Sequence, residues 1–117
     1  MIRLLFAFFL VNSINVFSQT PQPIKTSGNG CMIWSDEYSS NDSIIWNGAC
    51  KNGYASGVGI LKWYRDNKLV VIYKGAMKYG RFNGYGKYEI IGYATFEGHF
   101  ISGALNGKGA AYFSNGG

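Results

Sequence analysis

The chain has few of the side chains that catalysis or metal binding needs. It holds one histidine, His99, and two cysteines, Cys31 and Cys50, too few for a zinc site of the usual kind. Carboxylates are scarce, six against eleven lysines and arginines. The apolar run at the start, Leu4 to Val11, falls far short of the roughly eighteen residues that cross a bilayer. Two prolines accompany 17 glycines, and glycine does not recur at every third position, which excludes collagen. Disorder is excluded by 20 aromatic residues and many β-branched ones. Glycine and aromatics recurring together point to a repetitive β-structure.

With 117 residues the chain is one domain at most. Its first stretch, MIRLLFAFFLVNSINVFSQT, has the parts of a secretory signal peptide: Arg3, a short apolar core, then small polar residues. Residues 1–18 are therefore expected to be cleaved after Ser18, and the mature chain to be exported: secreted, periplasmic or attached to the envelope. No cysteine follows the apolar core closely enough to carry a lipid. In an oxidising compartment Cys31 and Cys50 could pair; two reduced thiols are the other reading, and the residues alone leave both open.

Aligned on itself, the chain shows three copies of one unit: WNGACKNGYASGVGILKW (46–63), YKGAMKYGRFNGYGKYEI (73–90) and FEGHFISGALNGKGAAYF (96–113). With the leading aromatic at offset zero, glycine falls at offsets 2, 7, 11 and 13 of every copy. These are Gly48, Gly53, Gly57 and Gly59; Gly75, Gly80, Gly84 and Gly86; Gly98, Gly103, Gly107 and Gly109. The phrase SGNGCMIW (27–34) matches SGVGILKW (56–63) and reads as the back half of an earlier, degenerate copy inside the N-terminal segment 19–45.

This unit resembles the MORN repeat (membrane occupation and recognition nexus), in which an aromatic-x-Gly start is followed by Gly-x-Gly and a strand. Trp46 and Phe96 stand where tyrosine usually leads, and Cys50 and Met77 where a second aromatic is common. The resemblance implies an all-β fold, an elongated twisted antiparallel sheet of stacked β-hairpins, and a role as scaffold, dimerisation element or membrane-associated module.

Read as hairpins, each copy places strands at offsets 0–5 and 12–17, with side chains alternating between faces. One face carries Trp46, Cys50, Leu61 and Trp63, then Tyr73, Met77, Tyr88 and Ile90, then Phe96, Phe100, Ala111 and Phe113. Glycines on that face are expected to make room for a ring from a neighbouring strand. The other face carries Lys51, Lys62, Lys74, Lys78, Lys87 and Lys108 with Glu89 and Glu97, so every strand charge obeys the parity. Lys-Asn-Gly53, Lys-Tyr-Gly80 and Ile-Ser-Gly103 read as turns closing on a glycine at positive φ. The links RDNKLVVI and GYAT read as loops between units, and SDEYSSNDSII (35–45) as a connection ending in a strand.

Chemistry finds little footing. Glu89 and Glu97 have no partner at an acid–base spacing, His99 is a surface residue at offset 3, and the Gly-x-Gly pairs lack the rest of a phosphate loop. The expectation is a protein without catalytic residues, metal or cofactor. Charge says more: residues 46–117 hold nine Lys or Arg and three Asp or Glu, 9 − 3 = +6. Lys51 and Lys78 share offset 5 and are expected to form a column. Such a face suits anionic lipid, acidic polysaccharide or an acidic protein partner, while nucleic acid is not expected of an exported chain. Lysines that only keep a flat sheet soluble are the plainer reading. A different class of function is carbohydrate binding through Tyr54, Tyr64, Tyr79 and Tyr85. A homodimer is expected if the last copy, uncapped, pairs with its counterpart.

Overall fold

A computed structural model describes residues 20–105 and 109–113. The expected signal peptide, Gly107, Lys108 and Ser114–Gly117 lie outside the described residues. The described chain contains ten strands and no helix: β1 (Gln22–Lys25), β2 (Met32–Ser35), β3 (Asp42–Trp46), β4 (Ala49–Lys51), β5 (Tyr54–Arg65), β6 (Lys68–Lys78), β7 (Arg81–Ile90), β8 (Ala94–Ile101), β9 (Ala104–Leu105) and β10 (Ala110–Phe113). They form one curled sheet in the order β1-β2-β5-β6-β7-β8-β10, with β3 and β4 on β5 and β9 on β8. Every pairing between strands is antiparallel except the single pair Met32↔Tyr54 joining β2 to β5.

Tight turns hold this meander in register. Asn52-Gly53, Tyr79-Gly80 and Ser102-Gly103 each have positive φ at both residues, the backbone of a two-residue hairpin whose twist matches its strands. All three lie where the sequence places them. A fourth such turn, Asp66-Asn67, has φ of 53° and 65°. It corrects the reading of RDNKLVVI as a loop: Arg65 ends β5, Lys68 opens β6, and the β-branched run Val70-Val71-Ile72 is strand. GYAT is likewise mostly turn and strand, with β8 starting at Ala94.

The register repeats. Trp46 pairs with Leu61, Tyr73 with Tyr88 and Phe96 with Ala111, and 61 − 46, 88 − 73 and 111 − 96 all equal 15. One row further, Gly59, Gly75, Gly86 and Gly98 stand opposite each other across four strands. The leading aromatic of each of the first two copies fills the space those glycines leave. A β-carbon on Gly59 would come within 2.7 Å of the Trp46 indole, and one on Gly75 within 2.9 Å of the Tyr73 hydroxyl. The ring thus belongs to the same copy as its glycines, rather than to a neighbour. In the third copy Leu105 takes that place over Gly109, and Phe96 packs edge-on against Phe113.

The second strand of the first two units also begins earlier than expected, at offset 8 rather than 12. Gly57 and Gly84, at φ of 81° and 110°, bend β5 and β7 without ending them. This brings Phe82 onto the inner face, stacked on Tyr73 at 3.9 Å between centroids. The core lies in the concave side of the curl: Cys31, Ile33, Ile44, Trp46, Ala55, Leu61, Tyr73, Met77 and Phe100.

The N-terminal phrase does not repeat its twin. SGVGILKW lies within β5, whereas in SGNGCMIW Gly28 and Gly30 turn the chain and only the end is strand. β2 runs across the hairpin turns of the first two copies: the Met32 amide donates to the Gly53 carbonyl (2.8 Å) and the Trp34 amide to that of Gly80 (3.0 Å). Cys31 and Cys50 are joined, with Cα atoms 5.6 Å apart, inside the range a disulfide spans. Cys50, expected on the packed face, is exposed, while Cys31 is fully buried.

Candidate functional site

The convex face carries the lysines. Lys51, Lys62, Lys74, Lys78 and Lys87 are all exposed. Cross-strand pairing assembles two rows on β5–β8: Ile60, Lys74, Lys87 and Glu97; and Lys62, Ile72, Glu89 and Thr95. Ile45 extends the second row on β3. Lys74 and Lys87 stand directly opposite each other, an arrangement that costs a sheet stability by like-charge repulsion. Val58, 78% exposed, lies one row away opposite Ala76. This end of the face alternates cations with aliphatic side chains, and its acids are displaced to β7 and β8. Lys51 and Lys78 flank two separate turns, opposite Tyr54 and Arg81 respectively.

Beside that face, Tyr85 is paired with His99, their rings edge to face at 5.5 Å. The Tyr85 hydroxyl donates to the Glu97 carboxylate, which raises the tyrosine pKa. His99 is exposed, as its offset implies.

The concave face is the second place of interest. Here the segment 36–41 arches onto β5, where the Tyr38 ring meets Trp63 at 6.4 Å and the Glu37 carbonyl accepts from Arg65 Nη2. Its foot is Asp42, a buried carboxylate that accepts from Arg65 Nε and Nη2 (both 2.8 Å), Trp63 Nε1 (3.0 Å) and the Ser39 amide (3.0 Å). These bonds, Arg65 first, hold its pKa far below the usual carboxylate range. Glu37 of the arch lines two cavities, of about 220 and 210 Å³; Trp63 and Tyr88 line both, Trp34 and Phe82 the first. Trp34 is sandwiched between Tyr54, stacked at 5.9 Å, and the Arg81 guanidinium, 4.8 Å from its centroid.

The in-register glycines, the ring that covers them and the 15-residue pairing are the frame of a repeat, and comparison identifies which one. Residues 73–90 and 96–117 match the family model of the MORN repeat. Residues 73–90 and 96–117 are MORN repeats. Comparison with curated proteins finds no match, and comparison with solved structures finds none. MORN repeats mark a protein- or membrane-interaction module. The copy from Trp46 lies outside the matched ranges, yet it shares their register and, with the copy from Tyr73, the ring-over-glycine packing.

Placed on this sheet, the expected binding residues divide. Lys62, Lys74 and Lys87 gather on neighbouring strands of one face. Tyr54 is half-buried under Trp34, Tyr64 is half-buried, and Tyr79 and Tyr85 are exposed. The concave cleft was not foreseen as a site. Trp63 and Tyr88 fall on the inner face by parity, but periodicity does not say that the curl leaves space above them. Glu37, which lines both cavities, sits in a stretch that reads as a plain connection.

Proposed function

We propose that this chain is an exported, non-catalytic module that holds an anionic surface, a membrane or envelope layer, against its convex face. The observation that carries this reading is the directly opposed pair Lys74 and Lys87. The fold gains nothing from that juxtaposition, and an anionic surface would relieve it. Ile60 and Ile72 among the lysines, with Val58 one row away, supply apolar contact beside the charge, a combination suited to a lipid headgroup layer. Export is supported by the N-terminal sequence and by the Cys31–Cys50 bond, a feature of oxidising compartments.

Co-sedimentation with phosphatidylglycerol vesicles tests it. Each lysine near such a surface contributes about 1 kcal/mol, so Lys74→Glu with Lys87→Glu is expected to weaken partitioning more than tenfold. Binding should also fall as salt rises. Unaltered binding of that double variant to the same vesicles would overturn the reading. A second reading is favoured by the exposed Tyr85 ring, edge to face with His99: stacking on a sugar, which predicts glycan binding lost in Tyr85→Ala. Among the described residues β10 pairs with β8 alone, so its outer edge is open to a second copy. Light scattering on the mature chain would show whether that edge is used.

A further inference from the structure

The two cavities of the concave face share three lining residues, Glu37, Trp63 and Tyr88. An acidic residue and two aromatic ones are therefore common to both spaces. The polar groups around them are already assigned. The Trp63 indole N–H is donated to Asp42, so the side chain has only its ring to offer. Arg65 is held by Asp42 and by the Glu37 carbonyl, and Arg81 lies over Trp34. Burial raises the Tyr88 pKa, which keeps that phenol neutral. Among the described residues neither Asp36 nor Glu37 has an ion pair, for Arg65–Asp42 is the one recorded there.

With Arg65 held by Asp42, the charges left among the lining residues are Asp36 and Glu37 against Arg81 alone, so an anion would meet a net negative mouth. A neutral apolar occupant would strip water from Glu37 and give nothing back. A cation with an apolar skin satisfies both partners: its charge meets the carboxylate, and its methyl or methylene groups lie against ring faces that themselves attract positive charge. The volumes set the size. Cavities of about 220 and 210 Å³ fall below the roughly 300–1,000 Å³ of pockets for drug-sized ligands, so the occupant is a single small head group. We propose that this cleft binds a small organic ammonium ion between Glu37, Trp63 and Tyr88.

The site lies on the face opposite the lysines and stands independently of the vesicle reading. Trp34 and Trp63 line the cleft, so tryptophan fluorescence reports occupancy. Choline and propylammonium are the probes, and 3,3-dimethylbutan-1-ol, the uncharged shape-mimic of choline, is the control. The mature chain is expected to bind at least one of the two cations saturably and the alcohol at least tenfold more weakly. Glu37→Gln, at an exposed position that leaves the fold intact, is expected to weaken the cation about tenfold and leave vesicle binding unchanged. Failure of both cations to bind, equal binding of the alcohol, or an unaltered affinity in Glu37→Gln would each overturn the proposal. An unshifted thermal midpoint in that variant confirms that the comparison is between folded proteins.

Discussion

The Tyr73 ring lies across Gly86, the residue two positions before its cross-strand partner Tyr88. The ring is pinned: its hydroxyl donates to the Ala76 carbonyl at 2.7 Å, and Phe82 stacks on it. A methyl group on Gly86 would come within 2.6 Å of two ring carbons, and neither ring nor backbone can yield. Gly86→Ala is therefore expected to destabilise by about 3 kcal/mol, the upper end for an overpacked core. Gly57→Ala meets no atom within 4 Å, only a φ of 81°, and should cost about 1 kcal/mol. Urea unfolding of the two variants separates them; equal losses would show that the ring does not hold its place.

That contrast also shows how far the sequence could be read. The twelve aligned glycines announce the repeat, and the turns at Gly53, Gly80 and Gly103 follow from their Lys-Asn-Gly-like contexts. But one residue type serves three ends: Gly86 admits a ring, Gly80 closes a hairpin, Gly84 bends a strand. Spacing alone does not distinguish them, so the early start of β7 and the inward position of Phe82 were out of reach. The lysine face follows from parity, a local property. The cleft depends on the accumulated curl and on an arch anchored by Asp42 to Arg65, 23 residues away, and such long-range pairing leaves no mark on periodicity.

The anchor of that arch should be sensitive to acid. The Asp42 side chain is fully buried, while Arg65 is 47% exposed, so Asp42→Asn loses charged hydrogen bonds without stranding a buried cation. A cost of about 2–3 kcal/mol at neutral pH is expected. The folded-state pKa is depressed, so the carboxylate's contribution is present above its unfolded value of about 3.9 and fades as pH falls through the folded one. The stability gap between wild type and Asp42→Asn should therefore narrow steadily below about pH 4. A gap independent of pH would show that packing, and not charge, is what the substitution removes.

The Cys31–Cys50 bond closes a segment of sequence separation 19. In the loop-entropy account a ring of that length contributes about 3 kcal/mol. Cys50 is exposed and Cys31 buried, so Cys50→Ser is expected to lose about that amount, and Cys31→Ser more, because a hydroxyl is then buried in the core. Thermal unfolding of the two variants checks the order. The same midpoint for Cys50→Ser and the oxidised parent would mean that the cap formed by β2 is held by Ile33 and the Gly53 and Gly80 carbonyls alone.

At the alkaline end Tyr73 is the group to watch. Burial pushes its pKa up to about 12, so the folded state holds the phenolic proton more tightly than the unfolded chain does. That contribution is whole below the ordinary tyrosine value of about 10 and is lost as pH climbs towards 12. Tyr73→Phe removes the titrating group and also the bond to the Ala76 carbonyl, and should be less stable than wild type by about 1 kcal/mol at neutral pH. The other tyrosines titrate alike in both proteins and cancel in the difference. From about pH 10 upward the wild type should lose stability faster, by about 2 kcal/mol relative to the variant near pH 12, so the two curves are expected to cross. Urea unfolding at a series of alkaline pH values tests this, and parallel curves would show that the ring over Gly86 is open to water.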